Sequence, residues 1–182
     1  MCRVTNQQNS NAGPINMIPT LKTERLRLVP PSPTAEDLYR RFYTDAEAST
    51  FYGGPLGAGA AYTRLATDIG CWYLQGFGVW VVERLGDDAQ LGVCGFWQGL
   101  GWPRELTWWL LPDARGQGFA QEASRAAIAY AYRECGWQTV ETYMTDDNAP
   151  ARALALRLGA CQIERRTFPD GQQRDLFRFP RP

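Results

Sequence analysis

The chain has 182 residues, 45% of them hydrophobic and 21% charged, enough for one globular domain with a full core. Nineteen basic residues balance nineteen acidic ones and histidine is absent. That leaves no basic field to draw nucleic acid, and no histidine to serve as a hydrolase base or metal ligand.

Residues 1–19, "MCRVTNQQNSNAGPINMIP", are polar and rich in Asn, Gln, Gly and Pro, the composition of a disordered or loosely ordered tail. They lack the apolar stretch of a secretory signal. Residues 20–182 read as a single domain. "LKTERLRLVPP" sets Leu26 and Leu28 against Arg25 and Arg27, the period-two pattern of a half-buried strand. "SPTAEDLYRRFYTDAEA" opens with a Ser/Thr cap and a proline and carries Leu38, Tyr39 and Phe42 at helical spacing. The break "FYGGPLGAGA" precedes a second helical pattern through Tyr62, Leu65, Ile69 and Trp72.

The period then changes. "FGVWVVERLGDDAQLGVCGFWQG" is two strand-like runs joined by Gly-Asp-Asp, a hairpin signal, and "RELTWWLL" is a third, ended by Pro112. Residues from about Gln117 to Cys135 give the longest helical pattern, with an apolar stripe through Ala126, Ala127, Tyr130 and Ala131. "QTVETYMT" reads as a strand, "APARALALRLG" as a short helix closed by Gly159, and the C-terminus as a hairpin turning at Asp170-Gly171. The expected class is α+β: a mixed, mostly antiparallel central sheet of about seven strands flanked by about four helices.

Lys22 is the only lysine, so a Schiff-base or phosphate-loop lysine is excluded beyond the N-terminal region. The five cysteines are scattered, without a CxxC pair, which argues against a disulfide framework or zinc site and for a reducing, cytoplasmic compartment. No apolar run approaches the roughly 20 residues that span a bilayer.

"RGQGFA", Arg115 to Ala120, places two glycines between an apolar strand and a long helix. Amides at a helix start and the positive end of its dipole bind anions, Gly116 and Gly118 let the backbone approach one, and Arg115 adds a charged donor. Such glycines equally serve a tight turn, and neither a Walker loop nor a GxGxxG loop is present.

The order of motifs resembles the GNAT acetyltransferase superfamily from about residue 20 onward. "RGQGFA" is similar to its Q/R-x-x-G-x-G/A signature, and "TERLRLVPPSPTAEDL" resembles the opening of the branch containing ribosomal-protein N-terminal (alanine/serine) acetyltransferases. "NAPARALALRLGA" resembles the family's terminal Asn-containing helix.

The resemblance implies acetyl-CoA as cosubstrate, no metal, and transfer to a primary amine, either a protein N-terminus or a small molecule. In it, Arg115, Gly116, Gln117, Gly118, Phe119 and Ala120 form the pyrophosphate loop. Outward backbone groups of Trp109, Leu110 and Leu111 pair with pantetheine, and a bulge in that strand supplies an oxyanion hole. Asn148 contacts pantetheine and also fits a plain helix N-cap, while Arg152 is a candidate for the 3′-phosphate and also fits an exposed helix charge.

Glu105 is the expected general base: a carboxylate among Trp97, Trp102 and Trp108 has its pKa raised toward neutrality, although it also fits a surface charge beside Arg104. The family's thiolate-protonating tyrosine, seven residues after the Asn, is Ala155 here; Tyr143 is the substitute considered, with core packing the alternative. Phe51, Tyr52, Trp97 and Trp108 are the expected acceptor walls. Asp45, Glu47 and Asp68 are nearby in sequence, but no acidic run marks a polycationic acceptor. Neither nucleic acid nor membrane is an expected partner, and the C-terminal hairpin and exposed aromatics are compatible with a homodimer. The competing reading is a non-catalytic acyl-CoA-binding sensor module.

Overall fold

Four consecutive residues of the third strand, Val79 to Val82, are buried, and their alternation sets the layers of the domain. Val79 and Val81 point to one side, Trp80 and Val82 to the other. The computed structural model describes residues 18–182; the tail expected over residues 1–19 therefore lies almost wholly outside the described residues.

Five strands form one antiparallel sheet in sequential order: β1 (Leu21–Lys22), β2 (Leu26–Val29), β3 (Val79–Arg84), β4 (Gln90–Trp97) and β5 (Glu105–Leu110). Helices α1 (Glu36–Tyr43) and α2 (Ala58–Gln75) cover the Val79/Val81 face. Tyr39, Phe42 and Leu65 pack there with Val93 and Trp109. Helix α3 (Phe119–Arg133) covers the opposite face, where small Ala123, Ala127 and Ala131 let it approach Leu26, Trp80, Phe96 and Leu106. A second, three-stranded sheet follows in the order β6 (Glu141–Met144), β8 (Gln173–Arg178), β7 (Cys161–Thr167), with α4 (Ala149–Arg157) between β6 and β7.

The α+β class and the four helices are as expected, with eight strands among the described residues instead of about seven. The added strand arises at Thr23. Its amide donates to the Leu26 carbonyl at 2.9 Å, and its hydroxyl oxygen accepts from the Leu26 amide at 3.0 Å. One predicted strand is thus folded into a tight hairpin.

Candidate active site

Strand β5 pairs with β4 on one side only, because β6 belongs to the other sheet. The sheets part there, and the space between them is the candidate site. The β4–β5 register runs unbroken from Trp97 opposite Glu105 to Gly92 opposite Leu110, so the bulge implied by the family resemblance is absent from this ladder. The Leu111 amide donates back to Leu91 at 2.8 Å. By antiparallel alternation Trp109 also faces β4, while Trp108 and Leu110 turn their backbone groups outward. The expectation of outward groups at Trp109, Leu110 and Leu111 is therefore corrected: only Leu110 qualifies, joined by Trp108. The Trp108 carbonyl accepts the Tyr52 hydroxyl, and the Leu110 carbonyl accepts Arg115 Nε at 3.1 Å, leaving the two amides for a ligand.

A cleft of about 790 Å³ runs from this edge to the start of α3, lined by Gly116, Gly118, Phe119, Ala120 and Gln121 on one side and by Asn148, Pro150 and Arg157 on the other. Gly116 and Gly118 hold φ of 74° and 81°, the left-handed region where a side chain strains the backbone. A Cβ at Gly116 would meet nothing, so the loop surface is open. No side chain caps α3, and its first backbone bond is donated by Glu122 to the Gly118 carbonyl. The preceding amides are left facing the cleft at the positive end of a 15-residue helix.

This loop is braced from the N-terminal hairpin. Glu122 accepts from Thr23 Oγ1 at 2.6 Å, from the Arg25 amide at 2.8 Å and from Arg25 Nε at 2.7 Å. Arg25 also donates to the Gln117 carbonyl at 3.0 Å and lies over the Phe119 ring. Burial alone would raise the Glu122 carboxyl; the Thr23 and Arg25 hydrogen bonds overcome it and hold the group below its ordinary range.

A second cleft, about 510 Å³, opens on the other side of Trp108, and the two share Phe51, Tyr52, Trp108, Trp109 and Asn148 as common walls. Glu105, Tyr143, Trp97 and Trp102 line it. Glu105 keeps part of its surface open to the cleft, yet protein closes around the carboxyl; desolvation pushes it up to about 8, against the opposing influence of Tyr143 and Arg174. Tyr143 is 9% exposed and its hydroxyl has no partner of good hydrogen-bond geometry, although it lies close enough to Glu105 to feel its charge. Its ring packs with Trp102 and Phe168.

The acetyltransferase (GNAT) domain family matches residues 25–160, three quarters of the chain. The chain belongs to that family. No protein of curated function matches it. Among solved structures, it is similar to an acetyltransferase from Agrobacterium tumefaciens: 27% identity, 90% of this chain and 95% of that one, TM-score 0.82. The fold is shared with RimL, a ribosomal L7/L12 alpha-N-protein acetyltransferase solved with coenzyme A (11% identity, 87% and 96% covered, TM-score 0.70). It is also shared with the microcin C7 self-immunity acetyltransferase MccE, solved with acetyl-CoA and AMP (13% identity, 86% and 92% covered, TM-score 0.68). As a GNAT acetyltransferase, the chain is an acyltransferase.

Within this GNAT frame the sequence-predicted residues separate clearly. The loop glycines, Phe119 and Ala120 line the first cleft, Trp97, Tyr143 and Glu105 the second, and Phe51, Tyr52, Trp108 and Asn148 both. Asn148 does cap α4, its Oδ1 accepting from the Ala151 amide at 3.2 Å, while standing where the clefts meet. Arg115 lines the first cleft but spends its guanidinium on the Leu110 and Ala48 carbonyls, so it holds the loop's shape. Gln117 folds back onto the Asp113 carbonyl.

Arg152 lines neither cleft: it binds Asp175 at 2.8 Å and lies over Phe177. The cation that does line the first cleft on α4 is Arg157, which the sequence reading passed over because helical spacing alone did not say which face met the loop. Arg25 was missed because its partner, Glu122, is 97 residues away. Ala155 is fully buried in the core under α4 and presents nothing to either cleft. Cys94 is also in the core; burial pushes its thiol up to about 12, which disfavours an acyl-cysteine route. Among the described residues, no group of His, Cys, Asp or Glu gathers that could hold a metal, and no helix is long and apolar enough to cross a membrane.

Proposed function

We propose that this GNAT enzyme moves the acetyl group of acetyl-coenzyme A to a primary amine by direct attack within a ternary complex. The observation that carries this is the meeting of two clefts at Trp108 and Asn148, one ending on an open glycine loop and the other on Glu105. The first cleft fits the cosubstrate. Uncapped amides of α3 face it, Gly116 leaves the backbone unobstructed, and the outward amides of Trp108 and Leu110 form a free sheet edge for the pantetheine amides.

When bound, acetyl-coenzyme A supplies a thioester whose carbon–sulfur bond breaks as the carbon–nitrogen bond to the amine forms. Glu105 takes the proton that the attacking nitrogen must lose. The apolar walls around it disfavour charge and so raise its basicity toward that of an amine. Tyr143 stands beside Glu105 and favours its charged form, so it positions the base. No side chain comes from Ala155 to protonate the thiolate, and none is required, because a thiol with pKa of about 8.5 leaves without a strong acid.

The experiment is a thermal-shift titration with acetyl-CoA, dephospho-CoA and NAD on wild type and Gly118→Trp, followed by thiol release with an amine panel. At a hundredfold excess over Kd, about 2.7 kcal/mol of stabilisation is expected with acetyl-CoA and none in the variant. No shift at millimolar acetyl-CoA sinks the reading; a shift without thiol release from any amine leaves the sensor module instead.

A further inference from the structure

The acceptor cleft holds charged groups that the transfer step does not use, and they sit at the end away from Glu105. Arg64 and Asp68 are one turn apart on α2 and both line the cleft. They do not bond each other. Arg64 lies over the Tyr43 ring, 5.8 Å from its centroid, with no ion pair or hydrogen bond among the described residues. Asp68 accepts the Tyr39 hydroxyl on Oδ2 at 2.6 Å and has no other donor there. Arg174, the remaining cation of the cleft wall, is already held by both Asp170 oxygens at 2.8 and 2.6 Å.

Between the ends stand Tyr43 and Tyr52, each edge-on to Phe42, at 5.0 and 5.5 Å. Tyr43 feels the charges of Asp68 and Arg64, whereas Tyr52 feels that of Glu105. The cleft is thus bipolar: Asp68 and Arg64, without an ion pair between them, at one end, and the candidate base beside Tyr143 at the other, with exposed Asp147 the remaining acid of the wall.

We propose that the acceptor is a small zwitterion of diamino-acid type, its distal amine at Glu105 and its α-ammonium and α-carboxylate on Asp68 and Arg64. This rests on the transfer reading above and narrows its acceptor from protein N-termini to small molecules. Asp68 is half-buried and no cation forms an ion pair with it: desolvation pushes it up to about 6, although Tyr39 and the more distant Arg64 favour its charged form. An ammonium supplies the missing counter-charge, and the adjacent carboxylate removes the repulsion that Arg64 would otherwise exert on it.

The test is calorimetric binding to the full chain saturated with coenzyme A, which cannot turn over. The probes are lysine, cadaverine (no carboxylate), aminocaproate (no α-ammonium), pentylamine (neither) and an Ala-Ser peptide. Lysine is expected to bind about tenfold tighter than cadaverine or aminocaproate, and pentylamine weakest of the single-chain amines. Arg64→Met should equalise lysine with cadaverine. Asp68→Asn, whose amide oxygen still accepts from Tyr39, should equalise lysine with aminocaproate. Equal binding of the four amines, binding of the peptide alone, or a uniform loss across all probes in both variants overturns the proposal. Failure of the transfer reading looks different: lysine would bind with the expected preference, yet acetyl-CoA would give no acetyl-lysine. Transfer without any charge preference would sink the zwitterion and spare the reaction.

Discussion

Replacing Glu105 by Gln keeps the side chain's shape and removes both its charge and its basicity, and the two losses have opposite signs. The carboxyl is raised from an ordinary 4.5 to about 8 by burial. A base must be deprotonated to work, so kcat/KM of the wild type should rise with pH along a limb centred near 8 and level off above it. Below the limb it falls tenfold per pH unit. The Gln variant should lose about 10²- to 10⁴-fold in kcat at pH 8.5, the usual worth of a positioned base, with the acetyl-CoA KM little changed. Its residual rate should lack the limb.

Stability should move the other way. A carboxyl with a raised folded pKa is harmless while protonated in both states, and costs stability as pH climbs from its unfolded value to its folded one. At about 1.4 kcal/mol per pH unit, the interval from 4.5 to about 8 bounds the cost near 5 kcal/mol, and water in the cleft reduces it to about 2 kcal/mol. Glu105→Gln should therefore melt about 4–8 °C higher than wild type at pH 9 and alike at pH 4.5. Rate profiles over pH 6–9.5 and melting at the two pH values check both halves. A variant with wild-type kcat, or one that retains the limb, refutes Glu105 as the base. Equal melting temperatures at pH 9 would refute the burial argument beneath it.

Other perturbations separate ligand contacts from struts. Gly118→Ala forces a side chain into φ of 81° against Arg25, and should cost about 1 kcal/mol in melting while raising the acetyl-CoA KM more than it lowers kcat. Arg152→Met removes a partner of Asp175, whose side chain is 6% exposed; it should destabilise by about 1–3 kcal/mol and leave the acetyl-CoA KM alone, whereas Arg157→Met should raise that KM without lowering the melting temperature. Asn148→Ala should lose about 1 kcal/mol from the cap, and a rise in the acetyl-CoA KM beyond the stability effect would mark direct contact. Arg25→Met should weaken acetyl-CoA binding through the loop it holds, an effect that Glu122→Gln should largely reproduce.

Local signals were legible where one stretch of chain decides its own structure. The glycine loop, the Asn148 cap and the Asp170-Gly171 turn each follow from backbone demands that a few residues meet alone. Long-range pairing was not. Nothing in "TERL" says that Thr23 and Arg25 will grip Glu122, and nothing in the short, weakly patterned α4 says that Arg157, not Arg152, will meet the loop. Three consecutive outward groups in β5 were never possible, because backbone groups alternate; which of them face out depends on the partner strand, and the Leu111–Leu91 bond fixes it.

The same dependence explains why the site lies where it does. A sheet continuing from β5 to β6 would have consumed the amides of Trp108 and Leu110 and closed the space beside them. Instead β6 pairs with β8, and the aromatic group of Trp102, Tyr143 and Phe168 bridges the parted sheets at one end. Arg174 stacks on Trp102 and Phe168 and anchors to Asp170, so this plug is held by the C-terminal hairpin. The gap is therefore a supported structure, apolar enough to raise Glu105 and open enough to admit a ligand. The unpaired edge of β5 is what the fold contributes to the candidate site.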